Sequence, residues 1–184
     1  YFFTTKDTDD PKKFHGYPFH SRICKTARIM PLKEVHIYTD GACKGNPGPG
    51  GYGVILKYKE HRKELSGGFA RTTNNRMEIF AAITGLEALK ESCLVQLYSD
   101  SKYLVHAFTK GWLKSWQAHG WRKSDKTSVL NQDLWQRLLK AAEPHQLELH
   151  WVKGHANNPM NNRCDELATS AASGNMLPPD PGFV

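Results

Sequence analysis

Hydrophobic periodicity divides the chain into segments of two kinds. From Leu32 to Asp40 (LKEVHIYTD) apolar and polar positions alternate, with β-branched Val35, Ile37 and Thr39, which predicts a strand. A glycine-, proline- and asparagine-rich turn region covers Gly41 to Gly51. Strands are expected again over Tyr52 to Tyr58 and Lys63 to Ala70, completing an antiparallel meander. The period then changes. Met77, Phe80, Ala81, Ile83 or Thr84, and Ala88 recur at three- and four-residue steps, predicting an amphipathic helix over Asn74 to Lys90. Thr72, Thr73 and Asn74 offer its N-cap. Leu94 to Ser99 reads as a short apolar strand, Ser101 to about Thr109 as a helix, and Asp133 to Ala142 as another, ended by Pro144. Gln146 to Val152 sets Leu147, Leu149 and Trp151 against Glu148 and His150, a fifth strand. A last helix is expected from about Asn161 to Ser173. The order βββαβα…αβα implies an α/β fold, a five-stranded mixed sheet flanked by helices.

The two ends follow neither period. Residues 1–30 run from an acidic stretch (Thr4 to Asp10) into an acid-free basic one (Pro11 to Met30), and are expected to be a loosely ordered N-terminal extension. Asp7, Asp9 and Asp10 argue against a transit peptide. Residues 174–184, with Pro178, Pro179 and Pro181, are expected to be a disordered C-terminal tail. One domain over 31–173 remains, as the 184-residue length also suggests.

Composition adds limits. No apolar run approaches the roughly 18 residues of a membrane-spanning helix, so no membrane role is expected. Cys24, Cys43, Cys93 and Cys164 are scattered with no C-x-x-C pair, favouring a reduced, cytoplasmic protein without a structural zinc site. Twenty-five Lys and Arg against 18 Asp and Glu leave a net charge of +7, which suits a polyanionic partner without demanding one.

Four acids stand in places that call for a reason. Asp40 and Asp100 each end a strand, where α/β sheets place their ligands. Glu78 lies in the first turns of a helix beside its apolar stripe, and Asp165 opens the last helical stretch. Singly, each suits an ordinary role at a strand end or against a helix dipole. Gathered by the fold, their like charges would repel unless hard divalent cations neutralised them. Two such ions about 4 Å apart stabilise the attacking and leaving oxygens of a phosphoryl displacement. A basic protein with an acidic site therefore suggests metal-dependent cleavage of nucleic acid.

A second element lies between Asp100 and Asp125, which has no acid at all. Lys102, Lys110, Lys114, Arg122 and Lys123 are interleaved there with Trp112, Trp116 and Trp121. Cations with aromatic platforms suit a nucleic-acid surface. Trp112 and Trp116 are four apart, so on a helix they share a face and equally suit the core.

YTDGACKGNPGPGGYG (Tyr38 to Gly53), TTNNRMEI (Thr72 to Ile79), SDS (Ser99 to Ser101), WVKGHA (Trp151 to Ala156) and NNRCDELA (Asn161 to Ala168) together resemble type 1 ribonuclease H. The likeness runs collinearly from about Leu32 to Ser173 and is strongest to bacterial members with a Trp-containing handle. It implies endonucleolytic hydrolysis of the RNA strand of RNA–DNA hybrids by a monomer using two Mg²⁺ ions, with Mn²⁺ as a substitute. The products implied are 5′-phosphate and 3′-hydroxyl ends. It assigns Asp40, Glu78, Asp100 and Asp165 as metal ligands and His155 as an aid to proton transfer or product release. It further implies that Asn46 and Thr73 hold a DNA phosphate, that Asn74 and Asn75 touch the hybrid, and that Cys43 lies in the same surface. Lys102, Trp112, Lys114, Trp116, Trp121 and Arg122 match the handle. Gln117-Ala118-His119 departs from it, standing where many bacterial members carry consecutive basic residues. Retention of all four acids argues against a silent hybrid-binding protein. The KGHA and NNRCDELA motifs argue against the DNA-joining enzymes that share the fold.

Overall fold

The structure, a computed structural model, describes residues 31–154 and 158–183. The expectation for residues 1–30 lies outside the described residues. Five strands, β1 (Lys33–Cys43), β2 (Gly48–Tyr58), β3 (His61–Thr72), β4 (Cys93–Ser99) and β5 (Gln146–Trp151), form one sheet in the order β3-β2-β1-β4-β5. The pairs β1–β2 and β2–β3 are antiparallel, whereas β1–β4 and β4–β5 are parallel. Helices α1 (Asn74–Glu87), α2 (Lys102–Thr109), α3 (Trp112–Ala118), α4 (Gln132–Ala142) and α5 (Pro159–Ala171) flank it. The α/β class and the mixed five-stranded sheet are those the periodicity implied.

Strand alternation does what it predicted. Val35, Ile37 and Thr39 are buried while His36 and Tyr38 on the other face are half-buried. The glycine-rich region is less of a turn than its composition suggests. β1 continues to Cys43 and β2 begins at Gly48, leaving Lys44–Pro47 as the loop, with Gly45 at φ +80°. The other glycines are there for packing. A Cβ on Gly53 would strike the Cys164 carbonyl, and one on Gly51 the backbone of Ala168 and Ala172. α5 therefore lies on β2 closer than side chains would permit.

α1 is not the amphipathic helix expected. Arg76, Met77, Glu78, Ile79, Ala81, Ala82, Ile83, Gly85 and Leu86 are all buried, because α1 packs on β1 and β2 and is covered in turn by α4. A helix covered on two sides needs no polar face over most of its length. Thr73 caps it, its side chain accepting from the Arg76 N–H. The core joins Ile37, Val54, Val95 and Leu97 of the sheet to Ile79, Ile83 and Leu86 of α1, with Trp135 and Leu138 of α4 closing it.

Two further departures matter. The helix expected from Ser101 to about Thr109 is α2, but a further helix that the sequence reading did not foresee, α3, follows it after Gly111 at φ +71°. The segment after α5, expected as a disordered tail, returns to the domain. Asp180 is buried, the Ala70 N–H donates to the Pro178 carbonyl at 2.8 Å, and the Arg71 guanidinium lies over the Phe183 ring. Proline content hid a specific ionic anchor from a compositional reading.

Candidate active site

Parallel pairing of β1 and β4 sets the site. Thr39 pairs with Ser99, so the next residues, Asp40 and Asp100, lie at the same level. Asp100 is just past the end of β4, but Asp40 lies inside β1 rather than at its expected end, because β1 continues against β2 to Cys43. The Thr73 cap starts α1 so that Glu78, in its second turn, passes over Gly41, whose missing Cβ leaves room for the Met77–Glu78 backbone. One carboxylate oxygen from each of Asp40, Glu78 and Asp100 then lies within 4.8 Å of the others. Asp165 comes from the middle of α5, not its start, and the helix is fastened beside Asp40 by the Cys164 thiol donating to the Tyr38 carbonyl at 3.3 Å. Asp165 stands outside the group of three, yet its charge reaches Asp40.

Burial and like charge act on these acids together. Asp40 is pushed up to about 8, first by burial and then by Asp100 and Asp165, although the Gly41 N–H donates to its Oδ1 at 2.8 Å. Glu78 is raised well above the ordinary carboxylate range for the same reasons, with Asp40 and Asp100 as the charges facing it. Its Oε1 accepts from the Asn74 side chain at 3.5 Å, while its buried Oε2 has no hydrogen-bond partner among the described residues. A buried carboxylate with an oxygen left without such a partner, beside two further acids, is a costly arrangement by itself. A hard divalent cation fits it on chemical grounds, since every donor is a carboxylate oxygen.

The residues expected to hold the hybrid divide by position. Asn46, in the β1–β2 loop, accepts from the Asn74 N–H through Oδ1 at 3.3 Å, which brings Asn46, Thr73 and Asn74 together. Thr73 spends one lone pair of its hydroxyl oxygen on the cap and keeps its hydroxyl proton to donate. Asn75 is exposed beside them. The Cys43 thiol faces inward to the carbonyls of Gly48 and Thr72 at 3.5 Å, and burial raises it above an ordinary thiol. Its side chain thus ties the loop to β3. His155 lies outside the described residues.

The tryptophans pack on the core, as their spacing allowed, and two of them also line a cleft. Trp116 packs on the buried Trp135 with centroids 5.7 Å apart, and Trp112 lies 6.1 Å from Trp116. Their outer edges, with Ser115, His119, Arg122 and Lys126, line an open cleft of about 790 Å³. Trp121 also packs against the core, and its N–H donates to the Trp116 carbonyl at 2.7 Å. Lys102, Lys114 and Arg122 are exposed. Lys102 stands apart from the cleft, its Nζ 5.5 Å from the centroid of the Trp151 ring.

Sequence reasoning passed over three residues here. Trp151, quoted in a motif but given no task, donates from Nε1 to the Asp100 carbonyl at 3.0 Å. Gly154 lies against Asp100, where a Cβ would collide with the carboxylate. Arg76 is buried between α4 and the C-terminal segment, although arginine normally signals surface. The glycine inside the KGHA motif was the one available hint, since a glycine marks close approach.

The family model for RNase H matches residues 32–173. The ribonuclease H of Syntrophus aciditrophicus (strain SB) is 60% identical over 158 residues, covering 86% of this chain and 91% of that protein. That of Symbiobacterium thermophilum is 64% identical over 140 residues, covering 76% and 95%. Among solved structures, LC9-RNase H1, described as a type 1 RNase H with the type 2 active-site motif, superposes with a TM-score of 0.72 at 31% identity, covering 80% of this chain and 76% of that one. LC11-RNase H1, solved in complex with RNA/DNA hybrid, superposes with a TM-score of 0.53 at 28% identity, covering 75% and 96%. Matched along its whole folded domain in sequence and in architecture, the chain belongs to the ribonuclease H family.

Proposed function

We propose that this chain hydrolyses the RNA strand of RNA–DNA hybrids endonucleolytically, through two Mg²⁺ ions held by Asp40, Glu78, Asp100 and Asp165, with Mn²⁺ able to substitute. The observation that carries the reading is the group of buried Asp40 and Glu78 with half-buried Asp100, in which Glu78 Oε2 has no hydrogen-bond partner among the described residues, in a chain of this family. When bound, such ions supply electrostatic stabilisation of the charge on a phosphate during displacement. Water oxygen joins phosphorus and the P–O3′ bond breaks, giving 5′-phosphate and 3′-hydroxyl ends. His155 serves the proton that must reach the leaving oxygen or assists product departure.

The rest of the chain orients the hybrid. Asn46 and the Thr73 hydroxyl hold a phosphate of the DNA strand, and Asn74 and Asn75 contact the hybrid beside it. A 2′-hydroxyl both donates and accepts, so Glu78, an acceptor at the metal site, reads it and restricts cleavage to RNA. The α3 region, with Trp112, Lys114, Trp116, Trp121 and Arg122, is the second hold on the phosphate backbone. The chain acts as a monomer in the cytoplasm. Free thiols at Cys43, Cys93 and Cys164 support a reducing compartment, and no helix among the described residues is long and apolar enough to cross a membrane.

Incubation of the full chain with labelled RNA–DNA hybrid, duplex RNA and duplex DNA, each in Mg²⁺, Mn²⁺ or EDTA, tests the reading. Expected is cleavage of the RNA strand of the hybrid alone, in either metal. Cleavage in EDTA, or equal cleavage of duplex DNA, overturns it.

A further inference from the structure

Beyond the site, one ionic assembly joins segments far apart in sequence. Arg76, 3% exposed, donates from Nε and Nη2 to Asp180 at 2.6 and 2.8 Å. From Nη1 and Nη2 it also donates to Asp133 at 3.0 and 2.8 Å. Asp180 is itself 5% exposed, and takes the Thr72 hydroxyl at 2.7 Å and the Gly182 N–H at 3.2 Å. Its carboxylate thus holds the last residue of β3 and the first turn of α1 at once. Two bidentate contacts on one guanidinium fix direction as well as distance.

What that turn carries gives the assembly a role beyond stability. Thr73 accepts from the Arg76 N–H, the Asn74 N–H donates to Asn46, and the Asn74 side chain donates to Glu78. Thr72 also accepts the Cys43 thiol through its carbonyl, linking the same residue to the glycine-rich loop. Thr73 is therefore two hydrogen bonds from Asp180 through Arg76, and Asn74, its neighbour in the chain, carries the link on to Asn46, while Asp180 itself bonds to Thr72, Arg76 and Gly182. We infer that Asp180 is a positioning residue, and that the C-terminal segment sets hybrid affinity by fixing Thr73 and Asn74 through Thr72 and Arg76. This rests on the reading of Asn46, Thr73 and Asn74 as a phosphate pocket.

The test compares Asp180→Asn with Leu138→Ala, a core change in α4 remote from the pocket that supplies a destabilised control. Asn keeps the shape and removes the charge. A milder variant, Thr72→Val, deletes one donor to Asp180 and covers the case in which Asp180→Asn folds poorly. Steady-state cleavage of a labelled hybrid in Mg²⁺, hybrid binding in EDTA and amide exchange over residues 72–77 are measured on the full chain. For Asp180→Asn, KM and Kd are expected to rise about fivefold at nearly unchanged kcat. Exchange over residues 72–77 should quicken, and Thr72→Val should shift the same way by less. Leu138→Ala should lose thermal stability with KM and Kd unchanged. A KM and Kd within twofold of the parent in Asp180→Asn, or an equal rise in Leu138→Ala, overturns the inference. If the parent fails to cleave hybrid, the functional reading falls; unchanged exchange in Asp180→Asn would overturn the positioning role of Asp180 independently.

Discussion

In the metal-free protein Asp40 is a source of instability, and Asp40→Asn should show it. Its folded pKa of about 8 against an ordinary 3.8 means the fold prefers the protonated form. Stability from this group is complete below about pH 4, and is lost as pH rises from there to 8. At pH 7 about three units of that window have been crossed, or about 4 kcal/mol at 1.36 kcal/mol per unit. Asp40 is 6% exposed, so solvent screens little of this. Asparagine keeps the oxygen that accepts the Gly41 N–H and drops the charge facing Asp100 and Asp165. Thermal unfolding in EDTA should then place the variant about 10 °C above the parent at pH 7, and further above it at pH 8, at roughly 2–4 °C per kcal/mol for a domain of this size. The gap should narrow toward pH 4, and Glu78, raised for the same reasons, adds to the parent's decline with pH. Mg²⁺ should raise the parent more than the variant. An Asn variant no more stable than the parent in EDTA at pH 8 would refute the reasoning.

The same substitution should abolish hybrid cleavage while leaving hybrid binding measurable; cleavage at the parent rate would contradict the metal assignment. Gly154→Ala drives a methyl into the Asp100 carboxylate. Cleavage should fall about 100-fold in a kinetic assay with hybrid affinity nearly unchanged. Trp135→Ala removes the fully buried ring under Trp116 and Tyr103 and should cost about 3–5 kcal/mol in urea unfolding. With Gln117-Ala118-His119 in the handle, a salt titration of hybrid binding should give a shallower slope than in a relative with consecutive basic residues there. An equally steep slope would count against that.

Legibility differed by kind of residue. The strands were legible because alternation survives wherever one sheet face is more buried than the other, as at Val35, Ile37 and Thr39. α1 was found but its character misjudged, since covering by α4 is a contact that no local window contains. Gly51 was read as a turn residue because a glycine that bends the chain and one that admits a neighbour look alike in sequence. Asp180 sits in a proline-rich end that composition assigns to disorder, and its partner Arg76 lies 104 residues away. The acids were flagged for awkward position, and their motifs tied them to a family. Neither route could supply the repulsion that raises Asp40 and Glu78.

The sequence by itself determined the alternation and periods, hence the element order, and the local signals of caps and glycines. Those depend on neighbours within a few residues, which the chain carries with it. Which acids meet, how deeply they are buried, and that Asp180 closes on Arg76 were decided by the tertiary structure alone. Parallel pairing of β1 with β4 and the crossing of α1 over Gly41 create those distances, and charge, burial and hydrogen bonding are functions of distance in space rather than along the chain.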